Sequence, residues 1–282
     1  EFYSEAMMSD QNPWTVAGVA TKSWAKKVYP ELHEDEAVEK LWEAIFDMSR
    51  VTDDSVKTWE EHMNRVNSLA KKMTDYKFTS LHYRNSLGTD LVIELPENHL
   101  WAGGGSETPE GAPFVANIPT EEVFTLPHAE DVNGTVYATM PLAYNGNVID
   151  KFYLRFENGS VVDYGAETGL DTLKHLLETD EGSKRLGEVA LVPYDSPISN
   201  RNQLFYNTLF DENASCHLAL GRAYPTCLKG AEAHSKDELK ELGVNDSLVH
   251  VDFMVGSKDM SIVGKTEEGQ EIIIFKDGNW AF

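Results

Sequence analysis

The sequence predicts an α+β fold, with an α/β-like helical segment over residues 1–76 and a β-rich mixed domain over 77–282. Three observations predict it. Apolar residues recur at helical spacing in two stretches before residue 76. After it, short apolar runs alternate with turn signals. Three Asn-Gly pairs punctuate this second part in the manner of a meander.

Taken in chain order, NPWTVAGVAT (12–21) reads as a buried strand, and KSWAKKVYP as a short helix closed by Pro30. Val38, Leu41, Trp42, Ile45 and Met48 form the stripe of a helix over 34–49. Val56, Trp59, Met63, Val66, Leu69 and Met73 mark one face of a longer helix over 55–75. KFTSLHYRNSLGTDLVIEL alternates about residues 85–88 and reads as a hairpin. WAGGGSETPEGAP (101–113) reads as a flexible loop, too irregular for a phosphate-binding fingerprint. The Asn-Gly pairs at Asn133, Asn145 and Asn158 read as turns between strands. A helix over 167–179 carries Leu170, Leu173, Leu176 and Leu177 on one side. Short strands then follow in GEVALVP, SLVHVDFMVG, DMSIVG and EIIIF.

Composition narrows the function. The chain has 47 acidic and 24 basic side chains in 282 residues, a net charge of −23, which repels nucleic acid and anionic membranes. No apolar run is long enough to cross a bilayer. Only two cysteines occur, Cys216 and Cys227, without Cys-x-x-Cys spacing, which argues against a disulfide framework and a thiolate zinc site. A reducing cytoplasm fits these features. The first residues, EFYSEAMMSD, lack an initiator methionine and read as the start of a fragment.

The polar residues inside apolar strands are the informative ones. In SLVHVDFMVG, His250 and Asp252 lie two positions apart and so share one face of a strand. A mutual hydrogen bond, an acid–base pair or a shared metal ion would each satisfy them. Glu188 sits at the start of another apolar strand, where an arginine or a metal could pair it. Glu121 and Glu122 precede a third apolar run; adjacent strand residues face opposite ways, so at most one points into a site. Glu212, His217 and Tyr224 lie in small or apolar surroundings whose helix or strand character the sequence leaves open. Together these carboxylates and two histidines form the inventory that a pair of divalent cations needs, with at least one carboxylate bridging both. The other seven histidines, His33, His62, His82, His99, His128, His175 and His234, read as surface or hydrogen-bonded groups.

PTEEVFT, RLGEVALVP, TLFDENASCHLALGRAY and SLVHVDFMVGS, in that order, resemble the M29 family of metallo-aminopeptidases. The likeness runs from WEAIF through GTDLVIEL and HLWAGGG to the C-terminal end. It implies metal ligands at Glu122, Glu188, His217, His250 and Asp252, and two further active-site positions at Glu212 and Tyr224. It also implies two divalent ions per chain (zinc, cobalt or magnesium), peptide substrates with a free N-terminus and a homodimer. The family carries an additional α/β domain ahead of these residues, which makes residues 1–76 the tail of that domain and the connecting helices. Glu212 is then the candidate general base and Tyr224 the hydrogen-bond donor to the tetrahedral oxyanion. The alternatives are another metal-dependent amidase or peptidase on the same ligands, or a catalytically inactive metal-binding fragment. Cys216, beside His217, is a possible ligand or redox-sensitive thiol, though a small buried packing residue fits it better.

Overall fold

The structure is a computed structural model and describes residues 10–282. It contains six α-helices among these residues: α1 (Lys22–Val28), α2 (Glu34–Met48), α3 (Ser55–Asp75), α4 (Leu170–Leu177), α5 (Thr208–Asp211) and α6 (Lys236–Glu241). The strands are β1 (Val16–Ala17), β2 (Phe78–Arg84), β3 (Asp90–Glu94), β4 (Ala102–Gly103), β5 (Ser106–Glu107), β6 (Pro113–Phe114), β7 (Asn117–Ile118), β8 (Val123–Thr125) and β9 (Val132–Tyr137). They continue with β10 (Leu142–Tyr144), β11 (Asn147–Glu157), β12 (Ser160–Thr168), β13 (Leu186–Leu191), β14 (His217–Gly221), β15 (His250–Met254), β16 (Ser261–Thr266), β17 (Glu271–Lys276) and β18 (Asn279–Trp280). The mixture of helices and separate sheets is the α+β class that the sequence predicts.

Two sheets matter for function. A nine-stranded sheet runs β10-β11-β9-β3-β2-β16-β17-β18, with β12 also on β11. A five-stranded sheet runs β15-β14-β13-β8-β4. One apolar cluster joins them: Leu81, Tyr83 and Ile93 of the first pack with Val189, Leu218 and Phe253 of the second. Side chains alternate along each strand, so the face of β13–β15 opposite this core is free to carry polar groups.

The helices are stabilised as their sequences dictate. Thr21 caps α1 through the Trp24 amide, and Asp54 caps α3 through the Lys57 amide. The α2 stripe buries Leu41, Ile45 and Met48 against Ile198, Phe205, Leu209 and Phe210. α3 buries Val66, Ala70 and Met73 in the main core, but its first stripe residue, Val56, is 72% exposed.

Several local expectations are corrected. Residues 12–21 do not form a buried strand. Only the exposed pair Val16–Ala17 is extended, and it pairs parallel with β7 in a two-stranded sheet apart from the two large ones. Asn133-Gly134 is not a turn. It lies within β9 between β3 and β11, where a Cβ on Gly134 would come 2.2 Å from the Asp90 carbonyl oxygen. The glycine allows close strand approach instead of chain reversal. The other two pairs are turns, at the β10–β11 and β11–β12 connections. The hairpin about residues 85–88 is present, with Arg84 opposite Asp90. Helix α4 spans Leu170–Leu177, starting three residues later than the expected 167, because Glu167 and Thr168 belong to β12. The loop over 101–113 includes β4, paired to β8.

Candidate metal centre

The site is built on three adjacent antiparallel strands. Glu188 of β13 is opposite Ala219 of β14, and Ala219 is opposite Asp252 of β15. Directly opposed residues share a sheet face, so these three lie in one row. His217 stands two residues from Ala219 on the same face, and His250 is opposite Gly221. The middle of the row is therefore the Ala219 methyl group, with the Glu188 and Asp252 carboxylates on either side. A larger residue at Ala219 would occupy the space between the charged groups, and a Cβ on Gly221 would come 2.1 Å from the Val249 carbonyl oxygen.

A bulge aims Glu188. The β13–β14 register shifts between Leu186 and Glu188, and a Cβ on the intervening Gly187 would meet the Gly221 and Arg222 carbonyl oxygens at 2.3 and 2.4 Å. Bulges of this kind redirect the side chains beside them. Glu188 divides its oxygens: Oε1 is 3.5 Å from His217 Nε2, and Oε2 is 3.5 Å from His250 Nε2. Glu122, in the irregular stretch just before β8, brings Oε2 to 3.1 Å from His217 Nε2. Asp252 Oδ1 is 3.4 Å from His250 Nε2 but lacks hydrogen-bond alignment, leaving a buried oxygen with no hydrogen-bond partner among the described residues. Glu121 faces the other way and pairs with Arg50.

These groups form two candidate ligand sets, Glu122–Glu188–His217 and Glu188–His250–Asp252. Within each, the ligand atoms all lie within 4.8 Å of one another. The two sets share Glu188. Both histidines direct Nε2 to the cluster because Nδ1 is held elsewhere: 3.1 Å from the Ser215 carbonyl oxygen in His217, and 2.7 Å from that of Arg222 in His250. A carbonyl accepts the Nδ1 proton, so in the neutral ring Nε2 offers its lone pair to the site. Lone pairs facing carboxylates repel unless a cation lies between them. The donor set thus fits borderline divalent ions, with carboxylate oxygens and imidazole nitrogens and no thiolate.

Without such an ion, protons supply the compensation. Burial alone would lower the pKa of His217, but Glu122 and Glu188 outweigh it and push it well above the usual value. For His250, burial is likewise outweighed by Asp252 and Glu188, giving about 9. Burial raises Glu188, while the His250 imidazole overcomes burial at Asp252 and lowers it. Burial, then Asp252 and Glu122, raise Glu212 well above the ordinary range.

The cluster lines one wall of a cavity of about 370 Å³, together with Glu212, Tyr224, Phe124 and Thr226. Glu212 begins a 3-10 turn directly after α5, and Tyr224 lies beyond the end of β14, its ring 5.0 Å from that of His250. The segment whose helix or strand character was open is thus both: helical at Glu212 and strand at His217. Seven of the eight carboxylate, imidazole and phenol groups singled out in the sequence meet in one place; Glu121 alone does not. Cys216 is fully buried, donates to the Val192 carbonyl oxygen at 3.3 Å, and is pushed up by burial to about 12. It lies outside both ligand sets. The sequence reading missed Trp14 and Gly103–Ser106 as cavity wall; the Gly-rich run was their one visible signal.

Fold and site define a protein with carboxylate and imidazole donors able to hold divalent ions, a donor set suited to hydrolytic chemistry. A family profile described as "Thermophilic metalloprotease (M29)" matches residues 1–280. The chain belongs to this family of divalent-metal-dependent peptidases. It is 53% identical over 281 residues to aminopeptidase 2 of Geobacillus stearothermophilus, covering 99% of this chain and 68% of that relative. It is 45% identical to aminopeptidase T of Thermus aquaticus, covering 95% of this chain and 65% of the relative. The solved structure of wild-type AmpT from Thermus thermophilus superposes with a TM-score of 0.91 at 43% identity, covering 99% of this chain and 68% of that one. A dioxygenase from Pseudomonas putida, acting on a dihydroxypyridine, matches with a TM-score of 0.54 at 14% identity over 85% of this chain and 62% of that one, a likeness of fold alone. No helix among the described residues is long and apolar enough to cross a membrane.

Proposed function

We propose that this chain is a metallo-aminopeptidase that removes the N-terminal residue of a peptide at a dinuclear centre. The observation that carries the reading is Glu188, one carboxylate shared by two ligand sets. Glu122 and His217 complete one set, His250 and Asp252 the other. Glu122, Glu188, Glu212 and Asp252 carry four formal negative charges, the equal and opposite of two divalent cations. Zinc and cobalt suit the two imidazoles better than magnesium does.

Bound divalent ions supply Lewis-acid polarisation of the scissile carbonyl and a lowered pKa for water. The chain's own groups do the rest. Glu212 takes a proton from the attacking water as its oxygen bonds to the carbonyl carbon. The same carboxyl returns that proton to the departing amine when the C–N bond breaks. Tyr224 stays a neutral phenol, because burial and then Glu188 and Asp252 push its pKa upward. It donates a hydrogen bond to the oxyanion of the tetrahedral intermediate. The Nδ1 contacts of His217 and His250 hold the rings in orientation. The reading extends to a homodimer, as the family resemblance implies, and to a reducing cytoplasm, which two free buried cysteines suit.

Hydrolysis of a leucyl chromogenic amide and its N-acetylated form, with and without chelator, tests the reading. Cleavage of only the free-amine substrate, lost with chelator, is expected. Cleavage of the acetylated form would favour a general amidase on the same ligands.

A further inference from the structure

The stretch Thr120–Glu122 is buried yet belongs to no strand ladder. Something other than sheet pairing must hold its polar groups. Glu121 accepts hydrogen bonds from both terminal guanidinium nitrogens of Arg50, Nη1 to Oε1 and Nη2 to Oε2, the latter at 2.9 Å. His62 Nε2 donates to the Thr120 carbonyl oxygen at 2.7 Å and lies 3.9 Å from Glu121 Oε2. The Glu121 backbone N–H donates to Asn213 Oδ1 at 2.8 Å, and Asn213 Nδ2 donates to the Leu209 carbonyl oxygen at 3.0 Å. Asn213 is fully buried and directly follows Glu212.

The network therefore touches both functional segments. Arg50 follows the C-terminal end of α2, and His62 lies on α3, so two helices before residue 76 grip the residue preceding Glu122. Asn213 ties that same residue to the turn carrying Glu212. Stability does not account for the ion pair, since a buried pair is commonly no better than apolar residues of the same volume. Arg50 also adopts a left-handed backbone with φ of 54°, uncommon for a non-glycine residue and a cost rather than a gain.

We infer that Arg50, Glu121, His62 and Asn213 are positioning residues that fix Glu122 and Glu212 in register with one another. This rests on the roles assigned above to Glu122 and Glu212. None of the four lines the cavity. Each acts through the backbone of the ligand stretch or of the base's turn, and loss of such outer contacts typically costs 10–100-fold in metal affinity or activity.

The test uses the double variant Arg50→Met, Glu121→Leu and the single variant Asn213→Ala. Melting temperature, Co²⁺ affinity by visible absorption of the chelator-stripped protein, and kcat and KM on the leucyl amide are measured for each. The double variant removes both charges together, so it keeps its melting temperature within a few degrees. Its Co²⁺ affinity and its kcat are expected to fall about 10–100-fold, with KM within about threefold of wild type. Unchanged Co²⁺ affinity and kcat in folded double variant would overturn the inference, whatever the melting temperature does. If the double variant does not fold, Asn213→Ala decides by the same two readouts. A wild-type chain that binds Co²⁺ but cleaves nothing would sink the aminopeptidase reading alone; the Co²⁺ comparison would still judge the network.

Discussion

Glu212→Gln separates catalysis from metal binding. The side chain keeps its shape and loses its charge, and its one hydrogen-bond contact with a side chain among the described residues, from Asn213 Nδ2, is long at 3.5 Å. Glutamine can retain that weak contact. The carboxylate it replaces is disfavoured by burial and by Asp252 and Glu122, so the metal-free variant loses a repulsion. Its melting temperature is expected to equal or exceed that of wild type. Catalysis should suffer instead. A positioned general acid–base group contributes about 10²–10⁴-fold, or roughly 3–5.5 kcal/mol at 1.36 kcal/mol per factor of ten. The assay is kcat on a leucyl chromogenic amide beside metal content by mass spectrometry. The expected result is kcat lower by two to four orders of magnitude with full metal content. A kcat within about threefold of wild type would refute the general-base assignment; metal loss in step with activity would make Glu212 a ligand.

Glu188→Gln should weaken both bound ions, whereas Glu122→Gln should weaken one, as metal content after dialysis will reveal. Tyr224→Phe should lower kcat about 10²–10³-fold, the usual cost of one oxyanion donor, with KM nearly unchanged in steady-state assays. Metal uptake should release protons at neutral pH, because His217 and His250 (about 9) hold protons in the metal-free site and ligation needs neutral rings. Affinity therefore rises with pH until these rings have lost their protons, and an unbuffered dye titration with Zn²⁺ measures the release. Asp259 is held down to about 2 by the Ser86 hydroxyl first, then by the Ser257 hydroxyl and the Ser86 amide at 2.8 Å. A lowered carboxyl pKa stabilises the fold above the unfolded value near 4 and loses that effect as pH falls through about 2. The melting-temperature gap between wild type and Asp259→Asn should accordingly shrink over that acid window.

Local pattern carried much of this structure. The stripe of α2, the hairpin of β2 and β3, and the strand β15 each depend on neighbours within a few residues, so periodicity exposes them. His250 and Asp252 were legible for the same reason: a two-residue spacing on a strand fixes a shared face. Glu188 stood out as a carboxylate in an apolar run, but its double role needed the bulge at Gly187 and the row through Ala219. Glu121 and Glu122 illustrate the limit. Nothing local distinguishes them; Arg50, 71 residues earlier, takes one and leaves the other to His217. Asn133-Gly134 failed for a related reason, since glycine's freedom serves turns and close strand contacts alike, and only the strands on both sides decide which.

The central claim is that two ions centred on Glu188 make this chain an aminopeptidase. Its most direct test is hydrolysis of the leucyl amide during stepwise addition of Co²⁺ or Zn²⁺ to chelator-stripped protein. The account predicts activity that reaches its plateau at two equivalents per chain and is absent from Glu188→Gln at the same additions. A plateau at one equivalent, or hydrolysis that persists in stripped protein, would contradict it.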